Sequence, residues 1–277
     1  MKSYTKARRF LRRQSYLIQS IRHRLVTGEN WPRIVFIHTV KTGGTSINNY
    51  FKDYLGSSRS GKIMLFDDFL RTEDEAVLIA RARKARYVGG HISWDTYQKI
   101  KDERTRSFTI FREPYDRLRS LYYYLTNMPA GFRGIEAVAD IKGYSMREFL
   151  AADHKWIDFY ANNFLARQFA GSLDVIPRSE GERLKLADAA IKNLATMDVL
   201  GFHDDFESAF AKIVGMAGLP VPEASPRLNV TMGLLSSTEE REKSKQALNE
   251  EMRELAAPLV EADLIVYNHF NKLRGGA

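Results

Sequence analysis

Short, unbroken runs of β-branched and aromatic residues alternate along this chain with longer stretches of helical period. Ile34-Val35-Phe36-Ile37 is the first such run, the pattern of a strand buried on both faces, as in a parallel sheet. It leads through Lys41-Thr42-Gly43-Gly44-Thr45-Ser46 into Ile47-Asn48-Asn49-Tyr50-Phe51, which reads as the helix that follows. Ser107 to Phe111 repeats the strand pattern and ends in Arg112-Glu113-Pro114. Proline suits the first turn of a helix, where its missing N–H would have been unpaired anyway. That helix runs from Tyr115 to Leu125 and gathers Leu118, Leu121, Tyr122 and Leu125 on one face.

Further along, Leu184 to Leu194 predicts a helix, Val199 to Phe202 a strand, and Phe206 to Ala217 a helix closed by Gly218. Ser237 with Glu240 marks a capping-box start for a charged terminal helix that Pro258 interrupts. Between residues 126 and 181 the periodicity weakens, and Pro129 to Gly134 reads as a loop. Trp156, Phe159, Tyr160 and Phe164 fit a core cluster better than a sugar platform, and this segment is where much of an acceptor-binding surface is expected. Alternating strands and helices predict an α/β fold of three layers, a mainly parallel sheet flanked by helices. A single domain is expected over 31–277, starting at Trp31-Pro32, with 1–30 forming a separate basic helix.

That first segment changes how the charge is understood. The chain has 277 residues with 42 Lys+Arg against 34 Asp+Glu, a net charge of +8. Lys2, Lys6, Arg8, Arg9, Arg12, Arg13, Arg22 and Arg24 lie within residues 1–28, where no Asp or Glu occurs. This segment therefore carries the whole excess, and the remainder is formally neutral. A protein that grips phosphate backbones spreads basic residues over its binding face, so nucleic acid is not an expected partner. Wound as a helix, the segment aligns Phe10, Leu17, Ile18, Ile21 and Leu25 opposite its arginines. Two readings fit it: attachment to an anionic membrane surface or acidic partner, or a helix that packs its apolar stripe on the domain. It lacks the uninterrupted apolar core of a signal peptide, and no run of ~20 apolar residues occurs anywhere. The expected location is the cytoplasm, peripheral at the inner face of the membrane. With no cysteine, disulfides, thiolate metal sites and cysteine nucleophiles are excluded.

The loop at 41–46 has the makings of an anion cradle. Two glycines let the backbone approach an anion, a helix N-terminus offers unpaired N–H groups, and Lys41 adds a full charge. Thr42, Thr45 and Ser46 add hydroxyls. An ordinary strand-to-helix turn, with glycine supplying a positive φ, also fits. Because lysine precedes the glycines, the loop departs from the nucleoside-triphosphatase pattern. Arg112 stands at the carboxyl end of its strand, where open α/β sheets bind ligands, with Ser120 two turns into the helix. This pair fits a second phosphate, or else an Arg–Glu surface pair with an exposed serine.

Together the two units resemble the sulfotransferases that use 3′-phosphoadenosine 5′-phosphosulfate (PAPS), especially the carbohydrate type that includes uronosyl 2-O-sulfotransferases and many bacterial proteins. Phe36 to Ser46 is similar to that family's 5′-phosphosulfate loop, and Phe111 to Ser120 to its 3′-phosphate motif. Gly89-Gly90-His91 resembles its Gly-His segment, Asn163 to Gln168 and Asp198 to Phe202 resemble other recurrent stretches, and Arg227 to Thr231 loosely resembles a late loop near the 3′-phosphate. Val40 replaces a usual proline and Ala166 a common threonine, and neither change removes a ligand-binding group.

The resemblance implies a P-loop-like sulfotransferase fold and O-sulfation by in-line displacement. His91 would be the general base, and Lys41 would stabilise the leaving phosphate. Thr42, Gly43, Gly44, Thr45 and Ser46 would hold the 5′-phosphate, with Arg112, Ser120 and Arg227 on the 3′-phosphate. PAPS would be the donor and 3′-phosphoadenosine 5′-phosphate (PAP) the product, with no metal. The acceptor would be a hydroxyl of a glycan, a glycolipid or a small alcohol. A nucleotide or sugar kinase and a non-catalytic anionic-ligand or membrane-surface binder are the competing readings. Of the other histidines, His38 reads as a buried, hydrogen-bonded residue whose place beside the loop keeps it a second candidate base. In His203-Asp204-Asp205, weighed against a metal site, Asp204 or Asp205 is expected to cap the next helix. Arg167 would either contact an anionic acceptor or pair on the surface.

Overall fold

The computed structural model describes residues 10, 11, 14, 18, 32–56, 62–67, 74–128, 140–171, 173–223, 225, 226, 235 and 237–275. Arg227, the Pro129 to Gly134 loop and most of the 1–30 segment lie outside the described residues. The chain divides into two compact units: residues 1–38, 43–110 and 197–227 form the first, and residues 39–42, 111–196 and 228–277 the second.

The first unit is built on a five-stranded sheet. Its strands are β1 (Arg33–Ile37), β2 (Ile63–Asp67), β3 (Tyr87–His91), β4 (Thr105–Phe111, of which Phe111 groups with the second unit) and β5 (Val199–Phe202). The order is β2-β3-β1-β4-β5, and β1 pairs in parallel with both β3 and β4, as β3 does with β2. Every residue of β1 is buried, as the unbroken apolar run requires. Ile34 and Phe36 join Phe108 and Ile110 under two helices, α1 (Gly44–Leu55), through Ile47 and Phe51, and α9 (Phe206–Met216), through Phe210 and Ile213. Val35 and Ile37 alternate to the opposite face, where α3 (Trp94–Ile100) meets β1. Each fully buried Phe or Ile here contributes about 1.5–3 kcal/mol relative to exposure.

Local signals set the element starts. Asp74 accepts from the Ala76 and Val77 amides to cap α2 (Glu75–Lys84), and Ser93 caps α3 through the Thr96 amide. Asp205 does occupy the N-cap of α9, but its side chain makes no capping bond, contrary to expectation. Asp198, just before β5, accepts from the Ser107 amide at 2.8 Å and so ties that strand to β4.

The second unit is helical. It comprises α4 (Pro114–Thr126), α5 (Met146–Ala151), α6 (Lys155–Ala161), α7 (Phe164–Ala170), α8 (Glu180–Leu194), α10 (Thr238–Lys243) and α11 (Glu250–Gly275). Pro114 takes the first turn of α4, and the Glu113 carboxylate caps that helix through the Tyr115 and Asp116 amides. Pro258 does not interrupt the terminal helix, which runs through it. The Asn163 side chain inserts into the ladder there: its amide group donates to the Pro258 carbonyl at 2.9 Å and accepts from the Ala262 amide at 2.7 Å. One side chain thus bridges a carbonyl and an amide four residues apart in the same helix.

Arg167 corrects another expectation. It is neither acceptor-facing nor on the surface, because it is fully buried. Its guanidinium donates to the carbonyls of Asp158, Phe159, Asn162 and Leu173. Buried Arg117 donates to the carbonyls of Tyr160 and Ala161 and pairs with buried Asp263 at 3.2 Å. The two arginines therefore satisfy the carbonyls that α6 leaves open at its C-terminus, where the helix dipole favours a cation.

Candidate active site

The loop after β1 is one continuous segment of chain, with Thr39–Thr42 grouped in the second unit and its flanks in the first. In the first unit, β1 gives way to His38, β3 ends in His91, and α1 begins at Gly44. Gly43 is in the left-handed conformation, φ 91°, and caps α1 without a side chain. The acceptor that a capping side chain would supply comes from His38: the Gly44 N–H donates to its Nε2 at 3.2 Å. A side chain at Gly44 would place a Cβ 2.3 Å from the His38 ring, so only glycine admits this approach.

His91 stacks on His38 with ring centroids 4.5 Å apart at 27°. Its Nδ1 lies 2.8 Å from the His38 carbonyl. A carbonyl only accepts, so Nδ1 carries the proton and Nε2 is left as the basic nitrogen. By the same logic, an N–H donating to His38 Nε2 fixes that ring as the Nδ1–H tautomer. Both imidazoles are half-buried. Thr45 is exposed and Ser46 is buried, its amide donating to the Gly43 carbonyl.

In the second unit, Lys41 adopts a left-handed conformation, φ 68°, unusual for a residue with a side chain. Arg112 donates to its carbonyl at 3.1 Å. The Lys41 ammonium lies 3.8 Å from the centroid of the Tyr124 ring, a cation–π contact. Burial, reinforced by the nearby positive charge of Arg112, lowers the Lys41 pKa to about 7. Arg112 is itself held below its ordinary value, chiefly by burial, and its Nε is buried with no hydrogen-bond partner among the described residues. Glu113 is engaged in capping α4. Thr42 is buried and its hydroxyl donates to the Thr39 carbonyl at 2.8 Å, closing the turn, while Thr39 donates to Gln168 at 2.7 Å. Ser120 is half-buried on α4.

The structure therefore brings Lys41 and Arg112 together in one unit and His91 to the Gly44 end of α1 in the other. Sequence reasoning missed Tyr124 and Gln168. Tyr124 follows Ser120 by four residues and so shares its helix face, a spacing that could have drawn attention to it. For Gln168, 129 residues from its partner Thr39, no local signal exists.

No family model and no curated protein matches this chain. Among solved structures, mouse sulfotransferase SULT7A1 complexed with PAP is similar at a TM-score of 0.36 and 16% identity, covering 86% of this chain and 75% of that chain.

Proposed function

We propose that this protein transfers a sulfuryl group from PAPS to a hydroxyl of an acceptor, a glycan or glycolipid being the favoured class. The observation that carries this reading is the meeting of the two motifs at Lys41 and Arg112. Residues 71 positions apart are joined by a hydrogen bond, and each is a cation whose charged form burial disfavours. Two desolvated cations held side by side cost free energy that a polyanion would repay. A nucleotide bearing both a 5′-phosphosulfate and a 3′-phosphate is such an anion.

In the proposed reaction the acceptor oxygen attacks sulfur in line while the bond from sulfur to the 5′-phosphate oxygen breaks. His91 Nε2, left basic by the bond that holds Nδ1–H, takes the acceptor's proton. The protonated Lys41 stabilises charge developing on the departing phosphate oxygen. The 42–46 loop holds the 5′-phosphate through the amides of Thr42, Gly43 and Thr45, those of Gly44 and Ser46 being engaged by His38 and Gly43, and Arg112 with Ser120 holds the 3′-phosphate. Arg227 is assigned to the 3′-phosphate by resemblance alone.

Thermal unfolding with PAP, beside ATP with and without Mg²⁺, tests the donor. At ~100 times its dissociation constant PAP adds about 2.7 kcal/mol, or roughly 5–10 °C at this size. The reading requires that shift to exceed ATP's and to shrink in Lys41→Ala. A response to Mg-ATP alone moves the assignment to a kinase. Near-normal sulfation by His91→Ala would remove His91 from the mechanism.

A further inference from the structure

Four aromatic rings stand in a column in the first unit, and the column leads from the core to His91. Phe108 and Phe36, both fully buried, stack at 4.5 Å and 7°. Phe36 lies 5.0 Å from His38, and His38 lies 4.5 Å from His91. The inner pair cannot shift without opening the sheet core, so His38 is held from below by packing. Its face then supports His91, and its edge meets α1 through the Gly44 amide at 3.2 Å. The backbone of the same residue takes the His91 Nδ1–H at 2.8 Å.

One residue thus makes three contacts with separate physical content: a ring face, a ring nitrogen and a carbonyl. The nitrogen lone pair engaged by Gly44 is unavailable for proton abstraction, which removes His38 as the base. We infer that His38 is a positioning residue that fixes the basic nitrogen of His91 relative to the start of α1, its ring face serving His91 and its Nε2 serving the loop. This rests on the sulfotransferase reading for its catalytic meaning, while the contacts themselves do not depend on it.

Two substitutions separate the ring's two duties. His38→Gln offers an amide oxygen to the Gly44 N–H but no ring for His91. His38→Phe keeps a ring in the column and removes the acceptor. In His38→Gln, kcat is expected to fall about ten-fold or more, as for a base held off its productive position, with PAP affinity within about two-fold. In His38→Phe the larger effect is on PAP affinity, weakened about five-fold by loss of one hydrogen bond to the loop. The third readout is the ¹⁵N spectrum of His91 in the ligand-free protein. Without the stacked ring to hold it against the residue-38 carbonyl, the His91 imidazole swings free of that bond in His38→Gln, so the spectrum should show the single Nδ1–H tautomer in wild type and His38→Phe and a mixture of tautomers in His38→Gln.

The inference is overturned if both variants lose kcat and PAP affinity in parallel, or if neither quantity moves. It is also overturned if His91 keeps its single tautomer in His38→Gln. Should wild type fail to bind PAP at all, the sulfotransferase reading is lost, and the ¹⁵N spectra alone then decide whether His38 positions His91.

Discussion

Raising the pH should weaken PAP binding through one lysine. Lys41 has its pKa lowered to about 7 by burial and by Arg112, whereas a bound polyanion would pull it back up. The sign follows from proton counting. Above pH 7 the free protein has largely lost the Lys41 proton and the complex retains it, so binding takes up a proton and affinity falls as pH rises. With a free-state pKa of about 7, the factor 1 + 10^(pH − 7) grows from about 2 at pH 7 to about 100 at pH 9, a loss of roughly 50-fold or about 2.3 kcal/mol. Histidine titration lies mostly below this window, and a phosphate monoester with a second pKa near ~6 is already mostly dianionic. Calorimetric titration at pH 7, 8 and 9, at fixed ionic strength and in buffers of different ionisation heat, measures both affinity and protons taken up. Lys41→Met should bind weakly and without this slope, and Lys41→Arg should keep its charge and lose the slope too. A wild-type affinity constant from pH 7 to 9, or a slope that survives in Lys41→Met, refutes the reasoning.

Asp263→Ala leaves Arg117 buried without its counter-charge and should cost about 3–5 kcal/mol in urea unfolding; a loss under 1 kcal/mol would show that the pair is dispensable. Asn163→Asp still accepts from the Ala262 amide but turns an oxygen toward the Pro258 carbonyl, so about 2–3 kcal/mol should be lost in the same assay. Phe10, Leu11 and Ile18 are helical and 60%, 66% and 65% exposed, within the segment that carries eight basic and no acidic residues. The protein should therefore sediment with vesicles containing anionic lipid at low salt, release as salt rises, and lose binding when residues 1–28 are deleted. Equal binding to neutral vesicles would argue against it.

The strand–loop–helix unit and the start of α4 were legible in the sequence because their signals are local. A β-branched run, a glycine pair and a proline at the first helical turn each act over a few residues. What was not legible is long-range satisfaction of polar groups. Pro258 looked like a helix end because proline removes an N–H, and nothing near it announces that Asn163 bridges its carbonyl to the Ala262 amide. Arg167 looked exposed because charged side chains usually are; it is buried because α6 is a short helix whose open carbonyls need donors. The same limit applies to the loop, where the lowering of the Lys41 pKa by burial and by Arg112 exists only once the two residues are adjacent.

The Asn163–α11 junction also bears on the order in which the chain can mature. Arg117, Asn163 and the Ala166 amide find partners 146, 99 and 97 residues later, at Asp263 and Ala262. During synthesis, the helices α4 to α7 emerge with an arginine and an open helix end that no nearby residue can neutralise. The sheet of the first unit meets no such delay, because β5 and α9 are complete before residue 220. Nascent chains should accordingly acquire protease resistance in two stages, the second only after α11 clears the ribosome. A stop codon between α9 and α11 would leave a chain whose sheet is finished and whose helical unit remains a substrate for degradation.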